Sequence, residues 1–335
     1  MPPKVPNADG WGGISVLIMV VLVTGSTGFL GRRVVQELLR HNHQVRCLVH
    51  TPGRERIFAP RTVDVQYGAV TDRDALASAC RGVDAIIHLV AIILQRGKAT
   101  YDSINHQGTA NVVDAAAKTG TVKELVQVSA IGATSNRRYS YLYSKWQAEQ
   151  VVIESGLPHT IIRPSLMFGA GDELINALAS LVRIFPMVPV IGTGRNRFQP
   201  IQVEDVARCI VLALERDDLK GKTVEIGGPE QLSYNEIVGL IARTLKKRRL
   251  RFHVPLFAVW PSAMLMQKIL PKPPLNTEQL QMLSIRNVAE PGVVEEVFGF
   301  KPRPVEGNIE FVNSIGIKDA WKSVLGFMPA SMRDH

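Results

Sequence analysis

The sequence predicts an α/β protein: a doubly wound parallel sheet with helices on both faces and a small C-terminal α/β lid. Three observations carry that expectation. Short β-branched apolar runs alternate with amphipathic helical patterns six times between residues 20 and 172, as successive βα units do. The first run, Val20-Val21-Leu22-Val23, breaks through Thr24 into the glycine-rich turn Gly25-Ser26-Thr27-Gly28-Phe29-Leu30-Gly31 and then into a helix. Beyond residue 172 the alternation gives way to short, interleaved elements too small for a second large domain.

The glycine turn organises the rest. Phe29, Leu30, Val34, Val35, Leu38 and Leu39 recur at three- and four-residue spacing, which predicts one buried helical face. Gly25 makes the tight turn, Gly28 lets backbone approach a phosphate, and Gly31 lets the helix pack on the strand. The helix N-terminus has unpaired N–H groups at the positive end of its dipole, so an anion belongs there. Between a buried strand and an amphipathic helix, this pattern reads as the pyrophosphate site of a Rossmann domain over residues 19–172. The plainer reading is a structural tight turn.

The second strand is expected over 44–49, followed by His50 and, four residues on, Arg54. No Asp or Glu lies between Gln44 and Gly53. An acidic residue near this point holds ribose hydroxyls, whereas a basic one suits a 2′-phosphate. NADP(H) is therefore favoured over NAD(H); the alternative is that His50 and Arg54 are solvated loop residues. Strand three is expected over 63–67, with Gly68-Ala69-Val70 and a short helix from Asp72 behind it. Strand four, 85–90, is almost wholly apolar, and His88 within it reads as a hydrogen-bonded core residue. A helix over 101–119 carries Asn105, Gly108, Val112, Val113 and Ala116, and strand five follows over 125–129.

Tyr141-Leu142-Tyr143-Ser144-Lys145 then opens a helix reaching about residue 155. Tyr141 and Lys145 lie one turn apart on one face. An adjacent ammonium favours phenolate and lowers the phenol pKa, readying Tyr141 as a general acid/base, while Ser129 could hydrogen-bond the reacting oxygen. Strand six, 160–164, leads into Ser165-Leu166-Met167-Phe168-Gly169-Ala170-Gly171-Asp172. Over 173–335 the chain forms the lid, with some segments returning to the core. A helix is expected over 173–185, strands over 188–192 and 223–227, and a helix over 233–245 opened by the capping box Ser233-x-x-Glu236.

The totals bound the function. The chain has 335 residues, 46% hydrophobic and 21% charged, which is globular. The net charge of +9 speaks to association, but without zinc spacing or aromatic-interleaved basic motifs nucleic acid is not expected. Cys47, Cys80 and Cys209 sit far apart in apolar segments, so buried thiols in a reducing cytoplasm are expected and no metal site. The apolar run over 14–23 is about half a bilayer span and lacks a cleavage pattern, so secretion is not expected. Residues 1–18 read as an extension, disordered or the product of an upstream start, with Met19 opening the functional chain.

Taken together, these residues resemble the short-chain dehydrogenase/reductase superfamily, in its extended and atypical branches of NAD-dependent epimerase/dehydratase type. The motifs are Thr24-Gly25-x-x-Gly28-x-x-Gly31, Tyr141-x-x-x-Lys145, Arg163-Pro164-Ser165 with Phe168-Gly169, Pro200-Ile201-Gln202-Val203-Glu204-Asp205-Val206-Ala207 and Gly227-Gly228-Pro229-Glu230. Ser129-Ala130-Ile131-Gly132-Ala133, Tyr141-Leu142 and Leu270-Pro271-x-Pro273-Pro274-Leu275 make it most similar to the group holding the nucleotide-binding accessory subunit of respiratory complex I and its bacterial relatives. The resemblance implies cofactor contacts at Gly25, Ser26, Thr27, Gly28, Phe29, Leu30, Gly31, His50, Arg54, Val70, Leu89, Val90, Ala91, Pro164 and Phe168. It further implies Ser129, Tyr141 and Lys145 as the catalytic set, with Lys145 also holding the nicotinamide ribose and Tyr141 also touching the cofactor. Two positions depart from the family pattern: Ala69 replaces an acidic residue, and His50 replaces an arginine.

One dense charge run remains, Lys246-Lys247-Arg248-Arg249-Leu250-Arg251, followed by a nearly all-apolar segment over 255–270 divided by Pro261. The segment is too short and interrupted to span a bilayer. It either lies against a membrane surface or membrane complex through 246–270, or covers the pocket with the charges as a solvated helix end. Three functions follow. The chain is an NADP(H)-dependent oxidoreductase or epimerase on a largely apolar small molecule, a non-catalytic NADPH-binding accessory or assembly protein of a respiratory or membrane complex, or a membrane-surface quinone- or lipid-handling protein. It is expected in the cytoplasm or peripheral to the inner face of the membrane.

Overall fold

The computed structural model describes residues 17–269, 277, 280, 285, 287–327, 329 and 332. Most of the 1–18 extension and the late proline motif over 270–275 lie outside the described residues. The first unit runs β1 (Val20–Thr24), α1 (Gly31–Arg40), β2 (Gln44–Val49), β3 (Asp64–Tyr67), α2 (Arg73–Ala79), β4 (Ala85–His88), α3 (Gln107–Thr119), β5 (Glu124–Val128), α4 (Ser140–Glu154) and β6 (His159–Pro164). The chain continues through β7 (Met167–Phe168), α5 (Leu174–Ile184), β8 (Met187–Ile191), β9 (Arg197–Phe198), β10 (Ile201–Gln202), α6 (Val203–Leu214), β11 (Thr223–Ile226), β12 (Leu232–Ser233), α7 (Tyr234–Thr244) and β13 (Leu250–Val254). Three helices follow: α8 (Leu256–Ile269), α9 (Val293–Phe298) and α10 (Ile317–Val324).

Seven strands form one parallel sheet in the order β11-β6-β5-β4-β1-β2-β3. Side chains of β1 alternate across it. Val21 and Val23 enter the core beneath α1 and α6, while Leu22 enters the one beneath α2 and α3. Helices therefore cover both faces, as a parallel sheet requires. A third core joins α5, α7 and β8 in the lid, with Ala320 of α10 packed into it. The Ser233 hydroxyl accepts the Glu236 N–H at 3.2 Å, and the Glu236 carboxylate accepts the Ser233 N–H at 2.7 Å, so the expected capping box opens α7.

Two expectations shift in detail. The fourth strand ends at His88, not residue 90; Leu89 N donates to Thr24 O at 3.2 Å and the chain then leaves the sheet. The helix expected over 101–119 is two pieces: a π-helical turn, Tyr101–His106, and then α3. Periodicity alone cannot distinguish a widened turn from an ordinary one.

One ionic tie fastens the end of α1 to the end of α6. His41 Nδ1 and His43 Nε2 each meet Glu215 Oε1 at 2.9 Å, and His41 Nε2 lies 3.6 Å from Glu37. The bonds to Glu215 and Glu37 outweigh burial and raise the His41 pKa from 6.5 to about 9. Its contribution to stability is then fully present below the unfolded value of 6.5 and disappears as pH rises through about 9. The urea midpoint is expected to fall across that interval. His41→Asn should flatten that part of the profile; an unchanged slope in the variant would refute the assignment.

Candidate functional site

Strand order reverses between β1 and β4, so the crevice outside their C-terminal ends is the switch point where α/β sheets bind ligands. The two loops touch there. Gly25 has φ +74, and a Cβ on it would lie 3.3 Å from the Leu89 carbonyl carbon and the Val90 nitrogen. Gly28 N donates to Gly25 O at 3.0 Å and closes the turn. A Cβ on Gly31 would overlap the Gly25 carbonyl oxygen, so only glycine lets α1 begin this close to β1. At Leu30 the helix starts with no side-chain cap and no acidic residue in its first turn. That leaves the positive end of α1 facing a crevice suited to a phosphate.

The other wall is pinned to this turn. Phe29 lies under the Arg33 guanidinium at 5.6 Å. Arg33 Nη2 donates to Ala170 O at 3.1 Å, and Arg33 Nε donates to Glu204 at 3.2 Å. The Phe29 ring comes within 3.6 Å of the position of a Cβ on Gly169. Thus the glycine turn, the segment after β7 and the start of α6 converge.

The predicted cofactor residues fall into distinct places. Ser26 is buried, Thr27 is half-buried, and Gly28 is exposed at the crown of the turn. Leu89, Val90 and Ala91 are half-buried on the facing loop. His50 and Arg54 are exposed beyond β2, Arg54 opening a 3₁₀ turn. Glu55 turns back to accept the Gly53 N–H at 2.7 Å. Val70 is buried against α3, where its carbonyl accepts from Asn111 Nδ2 at 3.0 Å. The Phe168 side chain is fully buried in the lid core, so it offers backbone rather than a ring surface. Pro164 ends β6, and its carbonyl accepts the Ile131 N–H at 3.1 Å.

Ser129, Tyr141 and Lys145 are all buried where β5 meets α4. Lys145 Nζ donates to Val128 O at 2.7 Å, the carbonyl immediately before Ser129. Ala130, immediately after Ser129, packs on the cluster of Tyr101, Tyr141 and Leu142. The two flanks of Ser129 thus touch Lys145 and the tyrosine cluster. Ser129 Oγ itself is buried with no hydrogen-bond partner among the described residues. Such an atom is costly to leave unmet, and an oxygen of a bound molecule would satisfy it.

The electrostatics differ from the expectation. Burial pushes the Tyr141 phenol up to about 12 and the Lys145 ammonium down to about 8, with Glu149 opposing the latter. The phenol is raised, not lowered, because burial dominates, with the Tyr141 ring packed edge-on to Tyr101 at 5.9 Å. His88 behaves as expected. Burial, helped by the Lys145 charge, lowers its pKa to about 3. It bridges Thr24 Oγ1 at 2.5 Å and Thr109 Oγ1 at 3.0 Å. Thr109 donates its proton to Asn105 O at 2.7 Å, so the His88 Nε2–H donates to Thr109 and Nδ1 accepts from Thr24.

Three supporting residues escaped the sequence reading of the site. Asn105 Nδ2 donates to Ser144 Oγ at 2.9 Å, and its Oδ1 accepts the Ile92 N–H at 2.8 Å, tying α4 to the loop after β4. Glu149 holds Arg163 through two bonds of 2.8 and 2.7 Å. Asp172 is buried at the start of α5, accepting from Ile175 N at 2.6 Å, and burial pushes its carboxyl up to about 7. A lone Asn among apolar helix positions and an Asp three residues before a helical Ile were the available signals.

Comparison with known proteins agrees with this geometry. The model of the NAD dependent epimerase/dehydratase family matches residues 21–227. A mitochondrial protein of Arabidopsis thaliana, NADH dehydrogenase [ubiquinone] 1 alpha subcomplex subunit 9, is 30% identical over 288 residues, covering 81% of this chain and 71% of that one. The ceramide reductase of Caulobacter vibrioides is 29% identical over 192 residues, covering 57% of this chain and 60% of that one. The fold also matches a nucleoside-diphosphate-sugar epimerase from Staphylococcus aureus, with a TM-score of 0.70 at 17% identity over 88% of this chain and all of the other.

Proposed function

Because this chain belongs to the NAD-dependent epimerase/dehydratase family, we propose that it is an NADP(H)-dependent oxidoreductase or epimerase acting on a largely apolar small molecule. The observation that carries the reading is the buried Ser129 Oγ, without a hydrogen-bond partner among the described residues, between the neighbours of Lys145 and Tyr141. The glycine turn from Gly25 to Gly31, at the positive end of α1, would hold the pyrophosphate, with Leu89, Val90 and Ala91 beneath the dinucleotide. His50 and Arg54 would meet the 2′-phosphate, and Lys145 with the Pro164–Phe168 backbone would border the nicotinamide. When bound, a nicotinamide supplies a hydride donor or acceptor. In this chain Ser129 orients the reacting oxygen, Tyr141 gives or takes its proton, and Lys145 keeps positive charge beneath both.

The preference for NADP(H) rests on the missing carboxylate at the end of β2 and on the exposed His50 and Arg54. Calorimetric titration is expected to show NADPH binding at least about tenfold tighter than NADH, a gap of about 1.4 kcal/mol. Arg54→Ala should narrow that gap to a few-fold. Equal affinity in the unmodified protein would overturn the preference. An apolar substrate is supported by the likeness to a protein named for ceramide reduction. Buried free thiols suit a reducing cytoplasm: burial pushes Cys47 and Cys80 each up to about 11.

A second reading has its own support. The likeness to a respiratory-complex subunit extends over 81% of the chain. In that role the bound dinucleotide would stabilise the fold by mass action and no turnover would be needed.

A further inference from the structure

We propose that the face formed by residues 246–269 docks on an anionic lipid surface. None of its residues is among those placed at the dinucleotide crevice, and the proposal does not depend on which reaction the site performs. No Asp or Glu occurs from Lys246 to Ile269. Lys246, Lys247 and Arg248 are exposed, and no carboxylate of the described residues pairs with them. Arg249 and Arg251 have other work. Arg249 Nε donates to Val182 O at 2.6 Å, and Arg251 Nη1 to Asn235 O at 2.9 Å. Three cations at the start of the segment therefore remain for a partner.

The apolar part is exposed in a matching way. Phe257 is 80% exposed, Leu265 59% and Ile269 68%. These positions repeat at eight- and four-residue intervals, which aligns them on one helical face. Ala263 is fully buried, so α8 is anchored on one side and bare on the other. β13, which joins the cations to α8, pairs in parallel with β8 and leaves Leu250 and Phe252 exposed. Its five residues separate the two parts by about 17 Å, within one docking footprint.

A second apolar stripe adjoins the beginning of β13. Leu250 N donates to Pro186 O at 3.1 Å, and the preceding Phe185 stacks edge-on with Trp321 at 5.7 Å. Ile317, Trp321 and Leu325 are exposed at successive four-residue steps, with Lys318 and Lys322 beside them. Lys322 also meets Asp319 at 4.0 Å, so the cations without a carboxylate partner among the described residues are those at 246–248. Exposed apolar groups beside such cations match the chemistry of a leaflet bearing anionic headgroups: the rings enter the interface and the cationic groups meet phosphate. Among the described residues no helix is long and apolar enough to cross a membrane, so the contact is peripheral.

Flotation of the full chain with protein-free vesicles tests this. With about 30 mol% phosphatidylglycerol and low salt, the bound fraction should exceed that on pure phosphatidylcholine at least about tenfold. It should fall several-fold in about 0.5 M salt, where the screening length is only a few ångströms. Combined Lys246→Glu, Lys247→Glu and Arg248→Glu, and separately Phe257→Ser with Ile269→Ser, should each abolish flotation while NADPH affinity and helical circular dichroism stay unchanged. Absence of flotation on anionic vesicles, or flotation indifferent to both variant sets, would overturn the proposal. Binding to native membranes but not to protein-free vesicles would overturn it in favour of a protein partner. Loss of NADPH binding in the unmodified protein would instead count against the cofactor assignment alone.

Discussion

Tyr141→Phe is expected to lower turnover about 10²- to 10⁴-fold, the range set by a positioned general acid/base, with NADPH affinity within about twofold. The ring already fills its place against Tyr101, so removal of one oxygen leaves the packing intact. The effect should appear in kcat and kcat/KM together, because the lost interaction acts on the proton in transit. In the unmodified protein, Lys145 loses its proton as pH rises through about 8, which should give the rate profile a falling limb there. An accessory role makes the opposite forecast: Tyr141→Phe would leave its partner-dependent activity untouched. Full turnover in the variant would remove Tyr141 from the chemistry.

Gly31→Ala is expected to be as damaging through a different route. The added Cβ would overlap the Gly25 carbonyl oxygen, which is main chain and cannot swing away as a side chain would. Relief requires the turn or α1 to move. Overpacking of this kind costs about 3 kcal/mol, and the turn that would cradle the pyrophosphate is what shifts. NADPH affinity should fall at least about 100-fold, with a lower thermal midpoint. A Gly28→Ala comparison is milder in stability, since its Cβ would approach Gly25 O at 3.2 Å. Wild-type affinity in Gly31→Ala would show that the close approach has no part in binding.

Local chemistry made much of this fold legible. Apolar runs placed β2 at its observed bounds and β5 and β6 within one residue, and the Ser233–Glu236 spacing located α7. The separate jobs of Gly25 and Gly31 were readable because each follows from strand–turn–helix geometry. Other features depend on residues distant in sequence. Arg33 reaches Glu204 across 171 residues, and Leu166 N reaches Asn287 Oδ1 across 121. Neither has a periodic signature. The Tyr141 pKa direction followed the same division. Helical spacing puts Tyr141 and Lys145 on one face, but burial among Tyr101 and Leu142 dominates the phenol, and no local spacing shows that burial.

The place of β11 in the sheet has a consequence for how the chain comes to be made. β6 is finished early, yet its outer neighbour arrives only after the excursion through residues 165–222. Until Thr223–Ile226 emerges, β6 keeps a bare edge on which the Ile161 N–H, bonded to Lys222 O at 2.9 Å in the finished sheet, stands open. Such a rim recruits other strands, and pairing that waits on a distant segment is slow. A stalled or clipped product ending near residue 172 would thus be adhesive rather than a free-standing nucleotide-binding module. Four residues from deep in the lid half act as the stopper that makes the first half safe to hold in solution.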